Sequence, residues 1–353
     1  MVPKLPLKIS REPMKILYAI QGTGNGHLSR SMEIVPLLMQ MADVDVLVSG
    51  TQGDLSLPFP VKYRFNGFGF IFGKSGGVDI WKSFYKSRFR NFIKEINKVP
   101  VGEYDLVIND FEPVSAWACY LKNKPCIGLS HQAAVLSEHS PKTEDSDVTG
   151  KLILKNYAPV TVQYGFHFAA FDDRIFTPVI RKQVREQKIG FKGHYTVYLP
   201  AYDDKRLIKR LTEFKDVEWD VFSKHNKKVL THKNVSIQPI DNEQFIKSMA
   251  QSAGVLCGAG FETPAEALFL KKKLLVIPMK SQYEQHLNAA ALKLMGVPVI
   301  KSLKPKHDET IQNWIDKGKV IDVDYPDNTR EILELVLRGN YQPALSILQA
   351  VKA

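Results

Sequence analysis

Short apolar runs alternate with longer amphipathic stretches along most of the chain. "MKILYAI" (Met14–Ile20) is an apolar run of strand length, and "SRSMEIVPLLMQM" after it carries apolar residues at helical spacing through Met32, Val35, Leu38 and Met39. "DVDVLVSG" then returns to the strand pattern. Strand, helix, strand in that order predicts a parallel sheet with helices on its faces, because parallel neighbours need a crossover connection. "YDLVINDF" and "PCIGLS", on either side of the apolar "PVSAWACYL", continue the same alternation.

The pattern lapses over residues 177–193, "TPVIRKQVREQKIGFKG", which is polar, basic and poor in strand formers. It resumes with "HYTVYLPAYDDKRLIKRLTEF" and runs on through "KKVLTHK", "NVSIQPI", "AGVLCGAG" and "KLLVIPM". A chain of 353 residues exceeds the size at which one core usually keeps growing. The expected organisation is therefore an α/β domain over residues 14–176, a linker over 177–193, and a second α/β domain over 194–335. A C-terminal helix over 336–353, "NYQPALSILQAVKA" in its main part, is expected to belong to either domain, packing back on the first being one of the two arrangements.

Composition narrows the class only slightly. Hydrophobic residues at 44% and charged residues at 24% describe an ordinary folded protein and exclude a disordered one. Cys119, Cys126 and Cys257 lie in apolar settings with no Cys-x-x-Cys pair, which excludes a disulfide framework and favours a cytoplasmic location. No apolar run approaches the ~18 residues of a membrane span, and the N-terminus is broken by Pro3, Pro6 and Pro13. The formal charge of +11 points to anionic partners or surfaces without choosing among them.

Candidate chemistry begins in "QGTGNGHLSRS". The loop has no Walker lysine after its last glycine, and Gly22, Gly24 and Gly26 are spaced two and two rather than as a dinucleotide fingerprint. A strand's carboxyl end turning tightly into a helix remains, with unpaired N–H groups offered to an anion. His27, near that helix start, is a candidate base or substrate ligand, against a plain loop histidine. Asp110, ending "YDLVIND", competes as base or as the group orienting His27, against a helix cap for the segment after it. His131, in "GLSHQAAV", also follows a strand and is a candidate acceptor contact.

The second glycine loop is "GVLCGAGFETPAEAL". Gly260 admits a phosphate near the backbone, and the Thr263 hydroxyl can donate to it. Glu266, three residues after Thr263, fits either a capping box or a pair of ribose hydroxyls. Glu284 and Gln285 stand before an alanine-rich helix, where they are suited to an array of sugar hydroxyls or simply to the first helical turn.

"GAGFETPAEALFLKKKLLVIPMKSQYEQHLNA", together with "GTGNGHLSRS", resembles the nucleotide-sugar glycosyltransferases built from two facing Rossmann-like domains, the GT-B fold. That group includes the plant and macrolide glycosyltransferases and the transferase that makes bacterial lipid II. The resemblance implies parallel sheets with helices on both faces and transfer of a sugar from a nucleotide-diphosphate donor, a UDP-sugar, to an acceptor hydroxyl with inversion. It implies no bound metal or other cofactor. It assigns donor contacts to Gly24, Gly26, Gly258, Gly260, Thr263, Glu266, Glu284 and Gln285, and to His27 the place of that group's base or acceptor-site histidine, with Asp110 still the competing choice for base or for orienting His27. In many plant and macrolide members a histidine stands where this chain has Gly258, which sets it nearer the lipid II type. A nucleotide-sugar epimerase or hydrolase on the same scaffold, and a non-catalytic nucleotide-sugar-binding protein, are the rival readings.

From Trp81 to Lys98, six basic residues (Lys82, Lys86, Arg88, Arg90, Lys94, Lys98) face one acid, Glu95, among interleaved aromatics. This basic amphipathic stretch fits a lipid or lipid-linked acceptor and peripheral contact with an anionic membrane, or else a solvated helix face. No base-reading module accompanies the charge, so nucleic acid is not an expected partner.

Overall fold

A computed structural model describes residues 13–50, 55–68, 86–143, 148–280 and 282–339. The first part of the basic stretch, 81–85, and the helix candidate at 340–353 lie outside the described residues.

The first half begins β1 (Lys15–Gln21), α1 (Asn25–Leu38), β2 (Asp43–Ser49), β3 (Tyr63–Phe65), α2 (Lys86–Lys98), β4 (Leu106–Asp110) and α3 (Pro113–Leu121). It continues β5 (Cys126–Ser130), α4 (His131–Leu136), α5 (Val148–Asn156), β6 (Val162–Phe166) and β7 (Ile175–Phe176). Among the described residues its strands form one sheet in the order β3-β2-β1-β4-β5-β6-β7, every pair parallel. The direction of winding reverses between β1 and β4, where Ile20 pairs with Asp110, and such a reversal opens a crevice at the strands' carboxyl ends.

The segment expected to be a polar linker is packed. Val179, Ile180 and Val184 are buried around the short helix α6 (Lys182–Arg185), and the amides of Gly190 and Lys192 bond to Ala250 and Gln251 carbonyls. Val179, Ile180 and Val184 face the core with the buried Arg181, while Ile189, Phe191, Lys182, Lys188 and Lys192 are exposed.

The second half runs β8 (Tyr195–Tyr198), α7 (Asp204–Leu211), β9 (Trp219–Ser223), β10 (Leu230–His232), β11 (Val235–Pro239), α8 (Asn242–Gln251) and β12 (Gly254–Gly258). It ends α9 (Glu262–Phe269), β13 (Lys273–Ile277), α10 (Tyr283–Leu294), α11 (Asp308–Lys317) and α12 (Thr329–Arg338). These strands form a second sheet, β10-β11-β9-β8-β12-β13, parallel except for the β10/β11 pair. Winding reverses here between β8 and β12, so the second glycine loop leaves the sheet beside its own crevice.

The return to the first domain comes earlier than the sequence pattern indicates. α12 turns Ile332, Leu333 and Val336 inward, into the cluster that holds Ile34, Val35 and Leu38 of α1. The same hydrophobic cluster joins Phe166 and Phe168 of the first half to Ala259 and Phe261 of the second. Full burial of an aromatic side chain of this size contributes about 2–3 kcal/mol, so Phe261 alone is a substantial tie between the halves.

Candidate active site

The first glycine loop is shaped by two close constraints. The N–H of Gly22 donates to the Ser49 carbonyl at 2.6 Å, and a Cβ on Gly22 would come within 2.9 Å of Val48. Gly24 takes φ 99° as the residue that caps α1, a left-handed conformation costly to any side chain. α1 therefore starts at Asn25, inside the glycine loop, and places His27 and Arg30 three apart on one face of its first turns.

Both reach Asp110, which is fully buried at the end of β4. His27 Nδ1 lies 2.8 Å from Asp110 Oδ1. Arg30 donates to the same carboxylate from Nε at 3.2 Å and from Nη2 at 2.7 and 3.0 Å. Burial by itself raises the Asp110 pKa, but the charge of Arg30 and then the contacts with His27 outweigh it and hold the carboxyl below its usual range. An ionised carboxylate can only accept, so Nδ1 carries the imidazole proton and the lone pair is on Nε2. Asp110 does not cap the following helix. Glu112 does so instead, accepting from the amides of Val114 at 2.6 Å and Ser115 at 2.7 Å.

The residue joining Asp110 to α3 is Phe111, at φ 56°. Its ring is stacked alongside His27, 6.4 Å between centroids, and meets Tyr157 at 4.8 Å. A bulky residue in the left-handed region is an uncommon, strained choice, and here it turns an aromatic face toward the imidazole.

Across from this group the second loop leads into α9, whose first turn begins at Glu262. Phe261 is the capping residue and makes no side-chain cap, and Thr263 falls within the helix. The capping-box alternative for Thr263 and Glu266 is thereby replaced by another arrangement: Arg181 grips Glu266 through Nε at 2.5 Å and Nη2 at 2.8 Å. Arg181 Nη1 also donates to Asn242 at 2.7 Å. Among the described residues a Cβ built on Gly260 meets nothing within 4 Å, so the backbone at this turn faces the cleft.

A cleft of 1220 Å³ brings the two loops together. Gly24, Gly26, His27 and His131 line it from one side, and Gly260, Thr263, Glu266, Glu284 and Gln285 from the other. Gly258 lies just beneath, with the Gln285 amide oxygen 3.7 Å from where its Cβ would be. Gln285 accepts from the Met279 amide at 2.9 Å and donates to Gln282 at 2.7 Å, which fixes the turn before α10. Glu284 accepts from Gln132 Nε2 at 2.9 Å. His131 is almost wholly buried: Nδ1 donates to the Phe166 carbonyl at 2.8 Å, Nε2 lies 2.7 Å from Asn288 Oδ1, and Phe261 stacks on the ring at 3.9 Å. Burial lowers its pKa and favours the neutral ring. His131 thus joins the halves at the cleft wall.

The sequence match agrees with this two-sided geometry. A family model described as glycosyl transferase family 1 matches residues 14–317. The chain belongs to that family. Its structure resembles MurG of Acinetobacter baumannii, at 14% identity and a TM-score of 0.53, over 93% of this chain and 100% of that one. It also resembles Arabidopsis thaliana UGT89C1 complexed with UDP-L-rhamnose, at 13% identity and a TM-score of 0.58, over 92% of this chain and 93% of that one. A UDP-glucosyltransferase from Polygonum tinctorium capable of glucosylating indoxyl is similar at 12% identity and a TM-score of 0.57, over 93% and 94% of the two chains. Likeness at such identities is likeness of fold, the two-domain GT-B architecture. Among curated proteins no sequence matches the chain.

Several residues of this glycosyltransferase's cleft carry no signal in the linear pattern. Arg30, Gln132, Arg181 and Glu262 all line it, and three of the four are buried. Arg30 had one available clue, its position three residues after His27. Arg181 sits in the stretch that reads as linker, and nothing local marks its reach to Glu266. Among the described residues, no group of three or more His, Cys, Asp or Glu side chains is arranged to hold a metal ion, and no helix is long and apolar enough to cross a membrane.

Proposed function

We propose that this glycosyltransferase moves a sugar from a UDP-sugar to an acceptor hydroxyl with inversion at the anomeric carbon, and that His27 takes the acceptor's proton. The observation that carries the reading is the His27–Asp110 contact at 2.8 Å, on a cleft whose other wall is the uncapped start of α9. The bond from anomeric carbon to diphosphate breaks as the bond to the acceptor oxygen forms. The electron pair leaves with the diphosphate, and the hydroxyl proton passes to His27 Nε2. Asp110 fixes the tautomer and stabilises the imidazolium that results.

Donor contacts fall to the second half. The diphosphate lies over Gly260 toward the α9 N–H groups and Thr263, in space a side chain on Gly260 would fill. Glu266, held rigid by Arg181, accepts from the ribose hydroxyls, and Glu284 with Gln285 meets the transferred sugar. Backbone dipole and Arg181 supply the positive field for the leaving group, with no tightly bound metal. Two structures of the same fold, one complexed with UDP-L-rhamnose and one with UDP-2fluoro-glucose, support the choice of nucleotide.

The acceptor in this reading is a lipid or lipid-linked molecule, taken up from an anionic membrane surface. Phe111, Ile153 and Leu154 make the neighbouring cleft wall apolar, and α2 exposes Phe89 and Ile93 beside Arg90 and Lys94. The test is a panel of nucleotide sugars, each with and without hydroxylated lipids, followed by release of nucleoside diphosphate and inspection of the product's anomer. Acceptor-dependent release with an inverted product, insensitive to EDTA, is the expected result. Release without acceptor would instead assign a hydrolase, and liposome flotation at low salt decides the membrane contact.

A further inference from the structure

One charged group in the cleft has no part in the scheme above. Glu262, in the first turn of α9, crosses the domain boundary to bond Arg30 Nη1, and Arg30 is only 2% exposed. A Cβ on Gly26 would lie 3.5 Å from Glu262 Cγ, an ordinary van der Waals distance, so Glu262 packs directly against the turn beside His27. A continuous line of charge-assisted bonds therefore runs His27, Asp110, Arg30, Glu262, from the first half into the second.

The order of charges along that line matters. Arg30 neutralises Asp110, and a neutral pair beside His27 would do little to stabilise an imidazolium. Glu262 supplies a second anion on the far side of Arg30, leaving the three groups net negative while it is ionised. The same carboxylate stands at the α9 N-terminus, where the donor's diphosphate would meet it as a like charge. We infer that Glu262 is a positioning residue that acts through Arg30, strengthening the His27–Asp110 pair for proton removal at the cost of weaker diphosphate binding. The inference rests on the proposed donor site and base.

Among the described residues the titratable groups facing Glu262 include Tyr18 of β1 as well as charged ones. Arg30 and His27 approach from α1, Asp110 from β4, Glu266 from its own helix, and Arg181 from the segment between the domains. Burial is the largest influence and raises the pKa of Glu262, Arg30 opposes it, and Glu266 and Asp110 reinforce it, to a value of about 7. Ionisation of Glu262 thus changes across neutral pH, with the charged form above about 7.

Glu262→Gln keeps the shape and removes the charge. The expected result at pH 8 is a kcat about tenfold lower with an unchanged or lower KM for the donor. UDP binding by the wild type, measured by calorimetry, should weaken as pH rises through about 7, and the variant should lose that dependence. Glu262→Asp should restore a pH-dependent step in UDP binding. A Gln variant with wild-type kcat and the same pH profile for UDP overturns the inference and leaves the transferase reading intact. So does a variant whose melting temperature falls and whose donor KM rises together, since that is the mark of a structural role. Failure of the wild type to bind UDP at any pH overturns both.

Discussion

The two glycine loops occupy equivalent places, each leading from the carboxyl end of a parallel strand into a helix, yet they are built for opposite ends. The loop before α1 is closed against its own sheet: Gly22 touches Val48 and Ser49, and the first turns of α1 send His27 and Arg30 down to a buried carboxylate. The loop before α9 is open at Gly260, where a Cβ would meet nothing within 4 Å among the described residues; neither helix has a side-chain cap, so the contrast lies in what surrounds Gly22 and Gly260. A closed loop fixes the direction of a side chain, and an open one leaves backbone donors for something that is not protein. Sequence similarity between glycine loops thus says little about their tasks; what fills the space above the turn decides.

The largest effect that would break this contrast concerns the closed side. His27→Ala should lower kcat by about 10²–10⁴-fold while leaving UDP affinity near that of the wild type. A variant with unimpaired turnover would remove His27 from catalysis and with it the meaning assigned to the closed loop.

Next is the ion pair that supports the open side. Glu266→Ala strands Arg181 in a nearly buried position, so urea melts should show a loss of about 3–5 kcal/mol, along with weaker UDP binding. Arg181 is held in its charged form, because Glu266 outweighs the effect of burial. A stable variant that merely loses UDP affinity would mean Arg181 finds another partner.

The loops can also be compared directly by adding one methyl group to each. Gly22→Ala should cost about 1–3 kcal/mol, because the new Cβ meets Val48 at 2.9 Å and the Ser49 carbonyl at 3.1 Å. Gly260→Ala should change stability by less than about 0.5 kcal/mol and act on donor affinity instead. Equal effects on stability at the two positions would erase the distinction.

The smallest expected effect is a pH dependence at the wall between the halves. His167 is buried 5.2 Å from the His131 ring and accepts from the Phe168 amide through Nδ1. Burial, then the neighbouring His131 and Lys142, push its pKa down to about 2. An imidazole neutral in the fold but protonated when unfolded stabilises the protein above the unfolded pKa of about 6.5, and that stability is lost as pH falls toward the folded value. Between pH 7.5 and 5.5 the wild type should lose about 1.4 kcal/mol more than His167→Phe in urea melts. Parallel curves would show that His167 takes up a proton without unfolding.

How far the sequence reaches can be judged from individual residues. Apolar periodicity identifies the strands on which everything hangs, and glycines in the two loops mark where each chain turns out of its sheet. It finds Val35 and Leu38 on the inward face of α1 but misses Leu28 and Ile34, and it counts Met39, which lies past the helix end and is exposed. It reads 177–193 as linker because the stretch is polar, basic and without a strand's run of apolar residues, though the three buried side chains Val179, Ile180 and Val184 suffice to hold the segment against the core. The return helix α12 escapes notice for a related reason, since its inward face meets α1 rather than its sequence neighbours.

The order of strands and helices, the parallel sheets and the two turn sites were determined by the sequence alone, because periodicity and glycine conformation act over a few residues. Tertiary structure decided the charges: Asp110 is 83 residues from His27, and Glu262 is 232 from Arg30. A buried charge must find its counter-charge through space, and no spacing along the chain encodes which two strand ends will face one another across a cleft.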